Sequence, residues 1–232
     1  MNTLNKVFIG VGHGGADSGA VANGFKEKDL NLDIGLACFN ELMRHGVNVL
    51  MSRTKDVADT LDEEIKECNK FNPDLAIDIH NNAGGGDGVE AFYHYKGGKS
   101  KTLADNVLCE IVNIGQNSRG AKIRKNAQGK DYYGFIRQTV APAVIIECAF
   151  VDNAKDMQII DTLSERQAMG KAIAKGILKT LGINYIAEPV KNDADQKTLY
   201  RVQVGAYSVK ANAEKIKNEL ISKGYSAIIV EG

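Results

Sequence analysis

The sequence predicts an α/β fold: a mostly parallel central sheet flanked by helices, with a small C-terminal β-α-β unit. Three observations predict it. Short apolar runs alternate with longer amphipathic ones through residues 1–182, the pattern that layers helices on a sheet. The apolar runs are rich in Val, Ile, Phe and Tyr and are bounded by Gly, Asn, Asp or Pro. After Leu181-Gly182 the texture turns polar, and 232 residues amount to about one and a half domains. A domain over 1–182, a linker over 183–197 and a small module over 198–232 are therefore expected.

Strands are expected at 6–11, 47–52, 74–79, 89–95 and 143–148. A helix is expected over 29–44, where Leu32, Leu36, Phe39 and Met43 recur every three or four residues before Gly46 ends the pattern. Thr60 with Glu63, and Ser164 with Gln167, each fit a capping box that opens a helix. A further helix over 101–113 gathers Leu103, Ala104, Val107, Leu108, Ile111 and Val112 on one face. Glu188-Pro189, Asn192-Asp193 and Asp195-Gln196 mark the linker. The tail reads as a strand at 200–204, a helix at 211–223 and a strand at 225–230. A unit this small falls below the roughly 40 residues that bury a self-sufficient core, so it needs a partner surface, and a second copy of itself would serve.

Composition narrows the function classes. Lys+Arg and Asp+Glu both total 29, and no basic stretch stands out, which argues against nucleic acid as a partner. Hydrophobic residues at 44% and charged residues at 25% exclude disorder, collagen and a disulfide scaffold. No apolar run approaches the roughly 20 residues of a membrane span, so no membrane insertion is expected. The N-terminus lacks a signal peptide, so synthesis in the cytoplasm is expected. Cys38, Cys68, Cys109 and Cys148 form no Cys-x-x-Cys pair and read as reduced, mostly buried small hydrophobes.

Three predicted strands run into residues suited to metal or acid–base chemistry: the first into His13, the third into His80, the last into Glu147. Ligands of open α/β sheets bind beyond the C-terminal strand ends, so these three can converge there. Two neutral imidazoles and one carboxylate suit a catalytic zinc, which keeps its fourth position open. His13 and His80 supply the imidazoles, and Glu27, where the chain returns from the His13 loop, is the economical third ligand. Glu147 is then free for catalysis, and a carboxylate buried after Val144-Ile145-Ile146 needs a cation nearby. The competing reading of any single histidine is structural, and it is the reading adopted for His45, at a helix end, and His94, within a strand. The glycine-rich stretch 10–19 lacks the Gly-Lys-Ser/Thr of a nucleotide loop and reads as a tight loop that lets His13 approach a substrate. Cys148 neighbours Glu147 on a strand and so faces away from it.

The motifs Gly12-His13-Gly14-Gly15-Ala16-Asp17-Ser18-Gly19, Glu27-Lys28-Asp29-Leu30-Asn31-Leu32, Ser52-Arg53-Thr54, Ile79-His80-Asn81-Asn82 and Ile146-Glu147-Cys148-Ala149-Phe150-Val151-Asp152-Asn153 follow one another in order. Together they resemble the zinc-dependent N-acetylmuramoyl-L-alanine amidases of the amidase 3 type, over about residues 6–181. The resemblance implies that His13, Glu27 and His80 hold one zinc ion, that Glu147 is the catalytic carboxylate and that Asn82 contacts substrate. It implies peptidoglycan as substrate, cut between N-acetylmuramic acid and the L-alanine of the stem peptide. Three positions depart from the family pattern: Asp78 stands where serine is usual, Asn81 where alanine is frequent, and Glu64 roughly where arginine is frequent. Tyr200-Arg-Val-Gln-Val-Gly-Ala-Tyr-Ser and the residues after it resemble the first half of a SPOR domain, which binds peptidoglycan glycan strands.

A wall-cutting enzyme without a signal peptide is expected to be a phage or prophage endolysin, acting on the wall after release. The alternatives are a sporulation autolysin of the mother cell with the same chemistry, or a non-catalytic wall-binding protein.

Overall fold

The computed structural model describes residues 5–187, 204–223 and 229. The chain divides into two compact units, Met1–Ile186 and Ala187–Gly232. The larger part of the expected linker, and nearly all of both tail strands, lie outside the described residues.

In the first unit a six-stranded sheet has the order β4-β1-β5-β8-β6-β7. Its strands are β1 (Lys6–Val11), β4 (Asn48–Met51), β5 (Leu75–Asn82), β6 (Val89–Tyr93), β7 (Ser118–Lys122) and β8 (Ala143–Phe150). β1, β4, β5 and β8 run parallel, and β6 pairs antiparallel with β8. The period of two sorts their side chains into two cores. Val7, Ile9, Ile77, Ile79, Val144 and Ile146 pack under α1 (Glu27–Arg44), α3 (Lys99–Val112) and α6 (Leu163–Leu181). Phe8, Ala76, Phe92, Ala143 and Ile145 pack under α2 (Leu61–Phe71) and α4 (Gly134–Gln138) on the other face.

Several boundaries shift from expectation. β5 continues past its expected end through His80 to Asn82, whereas Glu147 lies inside β8, as the expected range 143–148 has it. Thr60 and Glu63 form the expected capping box on α2. The box on α6 is instead Thr162 with Glu165, two residues before the expected one. Thr-Leu-Ser-Glu fits the motif as well as Ser-Glu-Arg-Gln does, and its carboxylate suits the positive helix end better than an amide. The sequence reading misses β2 (Val21–Ala22) and β3 (Phe25–Lys26), a hairpin turned by Asn23 and Gly24, both at positive φ. It also misses β7, which holds no β-branched residue, and the short helices α4 and α5 (Ala154–Met157).

His45 is structural: Nδ1 donates to the Glu41 carbonyl at 2.8 Å and Nε2 accepts from the Ile186 amide at 2.9 Å. His94 follows β6 and does not lie inside it, with Nε2 3.2 Å from Asp131 Oδ2. In the second unit α7 (Lys210–Ser222) is the described element. No helix among the described residues is long and apolar enough to cross a membrane.

Candidate active site and metal centre

The alternation that fills the α2-side core also sets the site. On β5 the face of Ala76 is also that of Asp78 and His80, and on β8 the face of Ile145 is that of Glu147. His80 stands in register with Glu147, and Gly10 with Asp78.

His13 sits two residues past β1 with φ of 64°, a left-handed conformation that a residue with a side chain adopts only when its surroundings impose it. Those surroundings are visible. The buried Arg53 guanidinium donates to the carbonyls of Val11, Gly12 and Lys28 at 3.0, 3.2 and 2.7 Å, and Asn31 Nδ2 donates to Gly12 O at 2.9 Å. Asp17 Oδ2 accepts from His13 Nδ1 at 2.8 Å, which turns Nε2 toward Glu27 Oε2 at 3.2 Å. A side chain at Gly12 would enter the His80 ring, so only glycine lets the loop pass there.

Glu27 opens α1 and is only 4% exposed. Its Oε2 accepts from the Ala20 amide at 2.9 Å, and its Oε1 accepts from the Asn81 amide at 3.1 Å and from His80 Nδ1 at 3.0 Å. His80 Nε2 donates to Asp78 Oδ2 at 3.2 Å. One ligand atom from each of His13, Glu27 and His80 lies within 4.8 Å of the others. Two imidazoles and a carboxylate, so converged and already oriented by partners behind them, fit a three-ligand zinc site.

Electrostatics agree with a site built for a cation. Burial works to raise the Glu27 pKa, but hydrogen bonds from His13 and His80 overcome it and hold the carboxyl well below the usual range. The hydrogen bond to Glu27 lifts His13 against the opposing effect of burial, with Asp17 adding to it. Burial would lower His80, yet Asp78 and Glu27 raise it well above its ordinary value. Burial pushes Glu147 up to about 7, partly offset by His80. The Glu147 side chain makes no hydrogen bond among the described residues.

Asn82 closes β5, and its Nδ2 donates to Glu90 Oε1 at 3.0 Å. Glu90 is the register partner of Glu147 on β6 and also accepts from Arg119 Nε at 2.9 Å and from Lys122 Nζ. The sequence reading gave no role to Glu90, Arg119 or Lys122. Nor did it assign one to Asp78, although the Asp-x-His spacing on a strand was a usable signal, because residues two apart share a face.

Comparison with known proteins places these residues in a family context. Residues 7–179 match the family model Amidase_3, N-acetylmuramoyl-L-alanine amidase, and residues 171–231 match the SPOR domain. The chain is 34% identical to N-acetylmuramoyl-L-alanine amidase CwlM of Bacillus licheniformis, over 97% of this chain and 84% of that one. It is 31% identical to the sporulation-specific N-acetylmuramoyl-L-alanine amidase of Bacillus subtilis (strain 168), with the same coverage. It is 32% identical to an endolysin of Bacillus phage SPP1, over 76% of this chain and 66% of that one. The fold is similar to that of N-acetylmuramoyl-L-alanine amidase AmiC2 of Nostoc punctiforme, with a TM-score of 0.69, 28% identity, and coverage of 77% of this chain and 97% of that one.

Proposed function

The chain belongs to the Amidase_3 family and is a cell-wall N-acetylmuramoyl-L-alanine amidase, and from this premise we propose that four of its residues run a zinc-dependent hydrolysis. His13, Glu27 and His80 hold one zinc ion, and Glu147 is the catalytic acid–base. The bond cut joins the lactyl group of N-acetylmuramic acid to the L-alanine of the stem peptide. The observation that carries this reading is the convergence of the three ligand atoms within 4.8 Å beside Glu147.

Zinc bound there supplies Lewis acidity, lowering the pKa of a water from 15.7 toward about 7 and polarising a carbonyl. Glu147 would accept the proton of the attacking water as the water oxygen adds to the amide carbon. It then delivers the proton to the alanine nitrogen as the C–N bond breaks, leaving a lactyl carboxylic acid, which ionises in water, and a free amine. A buried carboxyl, whose pKa burial raises above the ordinary carboxylate range, suits both halves of this exchange. The hydrogen bond that ties Asn82 to Glu90, the register partner of Glu147, supports the reading that Asn82 contacts the substrate.

Two settings suit this chemistry. The similarity to the sporulation-specific amidase spans 97% of the chain and includes the tail, whereas that to the endolysin spans 76%. The wider span supports a mother-cell autolysin over a phage endolysin. Expression confined to late sporulation supports the first setting, and an adjacent holin gene the second. The SPOR match supports glycan binding by the tail. Pairing of two tails remains a separate proposal, and light scattering of the full chain against a version ending near Tyr185 tests it: two monomers would refute it.

The direct test of the reaction digests purified peptidoglycan and analyses the products by mass spectrometry with a parallel zinc assay. Intact stem peptides with a free alanine amine, released by zinc-loaded protein alone, are expected. Wall binding without such peptides would instead support a non-catalytic binding protein.

A further inference from the structure

We propose that Asp78 is the positioning residue that fixes the ring of His80, and that Glu64 in turn holds Asp78 in place. This rests on the reading of His80 as a metal ligand. The ring has two nitrogens with two different partners. Nδ1 looks to Glu27 Oε1 at 3.0 Å and joins the converged ligand set, while Nε2 donates to Asp78 Oδ2 at 3.2 Å. A histidine that ligates through one nitrogen needs its other N–H anchored, and the anchor decides both tautomer and ring plane.

The remaining oxygen of Asp78 explains Glu64. Asp78 Oδ1 and Glu64 Oε1 are both buried, and neither has a hydrogen-bond partner among the described residues. Both lie closer than 3.0 Å to the point where a Cβ on Gly10 would sit, so they are neighbours over that glycine. Two carboxyl groups cannot both be charged cheaply in such a place, and one shared proton satisfies both orphaned oxygens. Asp78 already accepts from His80 Nε2 through its other oxygen, so the shared proton sits on Glu64. Glu64 would donate its O–H to Asp78, Asp78 accepts from His80 Nε2, and His80 Nδ1, giving up its proton on metal binding, offers its lone pair to the ion.

Asp78 and Glu64 are thus one device. The acid at 78 is a stronger acceptor than a hydroxyl, and the neutral acid at 64 occupies the adjacent buried space without a second negative charge. Gly10 leaves room for both carboxyls.

Zinc affinity, read by competition with a chelator, tests the chain of contacts in the full-length protein. Asp78→Ala should bind zinc about 10–100-fold more weakly than the parent. Asp78→Asn retains an acceptor oxygen and Glu64→Gln retains a donor, so both should keep the parent affinity. Asp78→Ala binding as tightly as the parent, or Asp78→Asn falling as far as Asp78→Ala, would overturn the proposal. Cadmium-113 with nitrogen-15-labelled histidine tests it without any variant. Coupling to His80 should appear at Nδ1, and coupling at Nε2 overturns the assignment. A parent that binds neither ion overturns the metal centre as well, whereas a parent that binds both while Asp78→Ala matches it overturns this proposal alone.

Discussion

His80 and Glu147 stand in register on the adjacent parallel strands β5 and β8, and each shifts the proton affinity of the other. The carboxylate helps to raise the imidazole pKa, and the imidazole draws the carboxyl down against the stronger effect of burial. One strand pair thereby carries a candidate ligand and the candidate acid–base side by side.

Separating those two roles is the first prediction. Glu147→Gln should lower amide hydrolysis by about 10²–10⁴-fold, the range that a positioned acid–base contributes. Its zinc content should match the parent. An active Glu147→Gln enzyme, or one that has lost its metal, would contradict the assignment.

The same residue makes stability depend on pH. Burial lifts the folded carboxyl to about 7 from an ordinary 4.5, so the folded chain holds this proton more tightly than the unfolded one. Its contribution to stability is therefore full below about 4.5 and is lost as pH rises through 7. In metal-free protein, Glu147→Gln should raise Tm at pH 8 by at least about 2–4 °C, the effect of about 1 kcal/mol in a domain this size, and give no gain near pH 4. Equal shifts at both pH values would count against the buried carboxyl.

Zinc uptake should release protons. His13 and His80 are both held above the ordinary histidine value without the ion, and ligation requires their neutral nitrogens. Affinity should rise with pH across the neutral range. Calorimetry in two buffers of different ionisation enthalpy measures the release, and identical apparent enthalpies would argue against histidine ligation.

Removing a ligand differs from removing the base. His13→Ala and His80→Ala should each lose zinc and turnover together, and a chelator should silence the parent until zinc is restored. Gly12→Ala should behave like a ligand variant although it deletes none, because its methyl enters the space of the His80 ring. Normal zinc binding by Gly12→Ala would show that the loop can move aside.

Much of this was legible before the structure. His13, Glu27, His80 and Glu147 come from distant segments, but strand-end positions and five ordered motifs pointed to each. What stayed hidden depends on register and on burial. Glu90 became a neighbour of Glu147 only through an antiparallel pairing that no local pattern announces. Glu64 stood out in the sequence only as a departure from the family pattern, and only packing shows that it is buried over Gly10 beside Asp78. The hairpin at Asn23-Gly24 was missed because its strands are two residues each, too short for alternation to register.

Anomalous diffraction at the zinc edge, from crystals of the metal-loaded full chain, tests the central claim most directly. One strong peak bonded to His13, Glu27 and His80, at the roughly 2.0–2.2 Å of zinc–nitrogen and zinc–oxygen bonds, is the predicted result. A peak ligated by other residues, or none among these three, would contradict it.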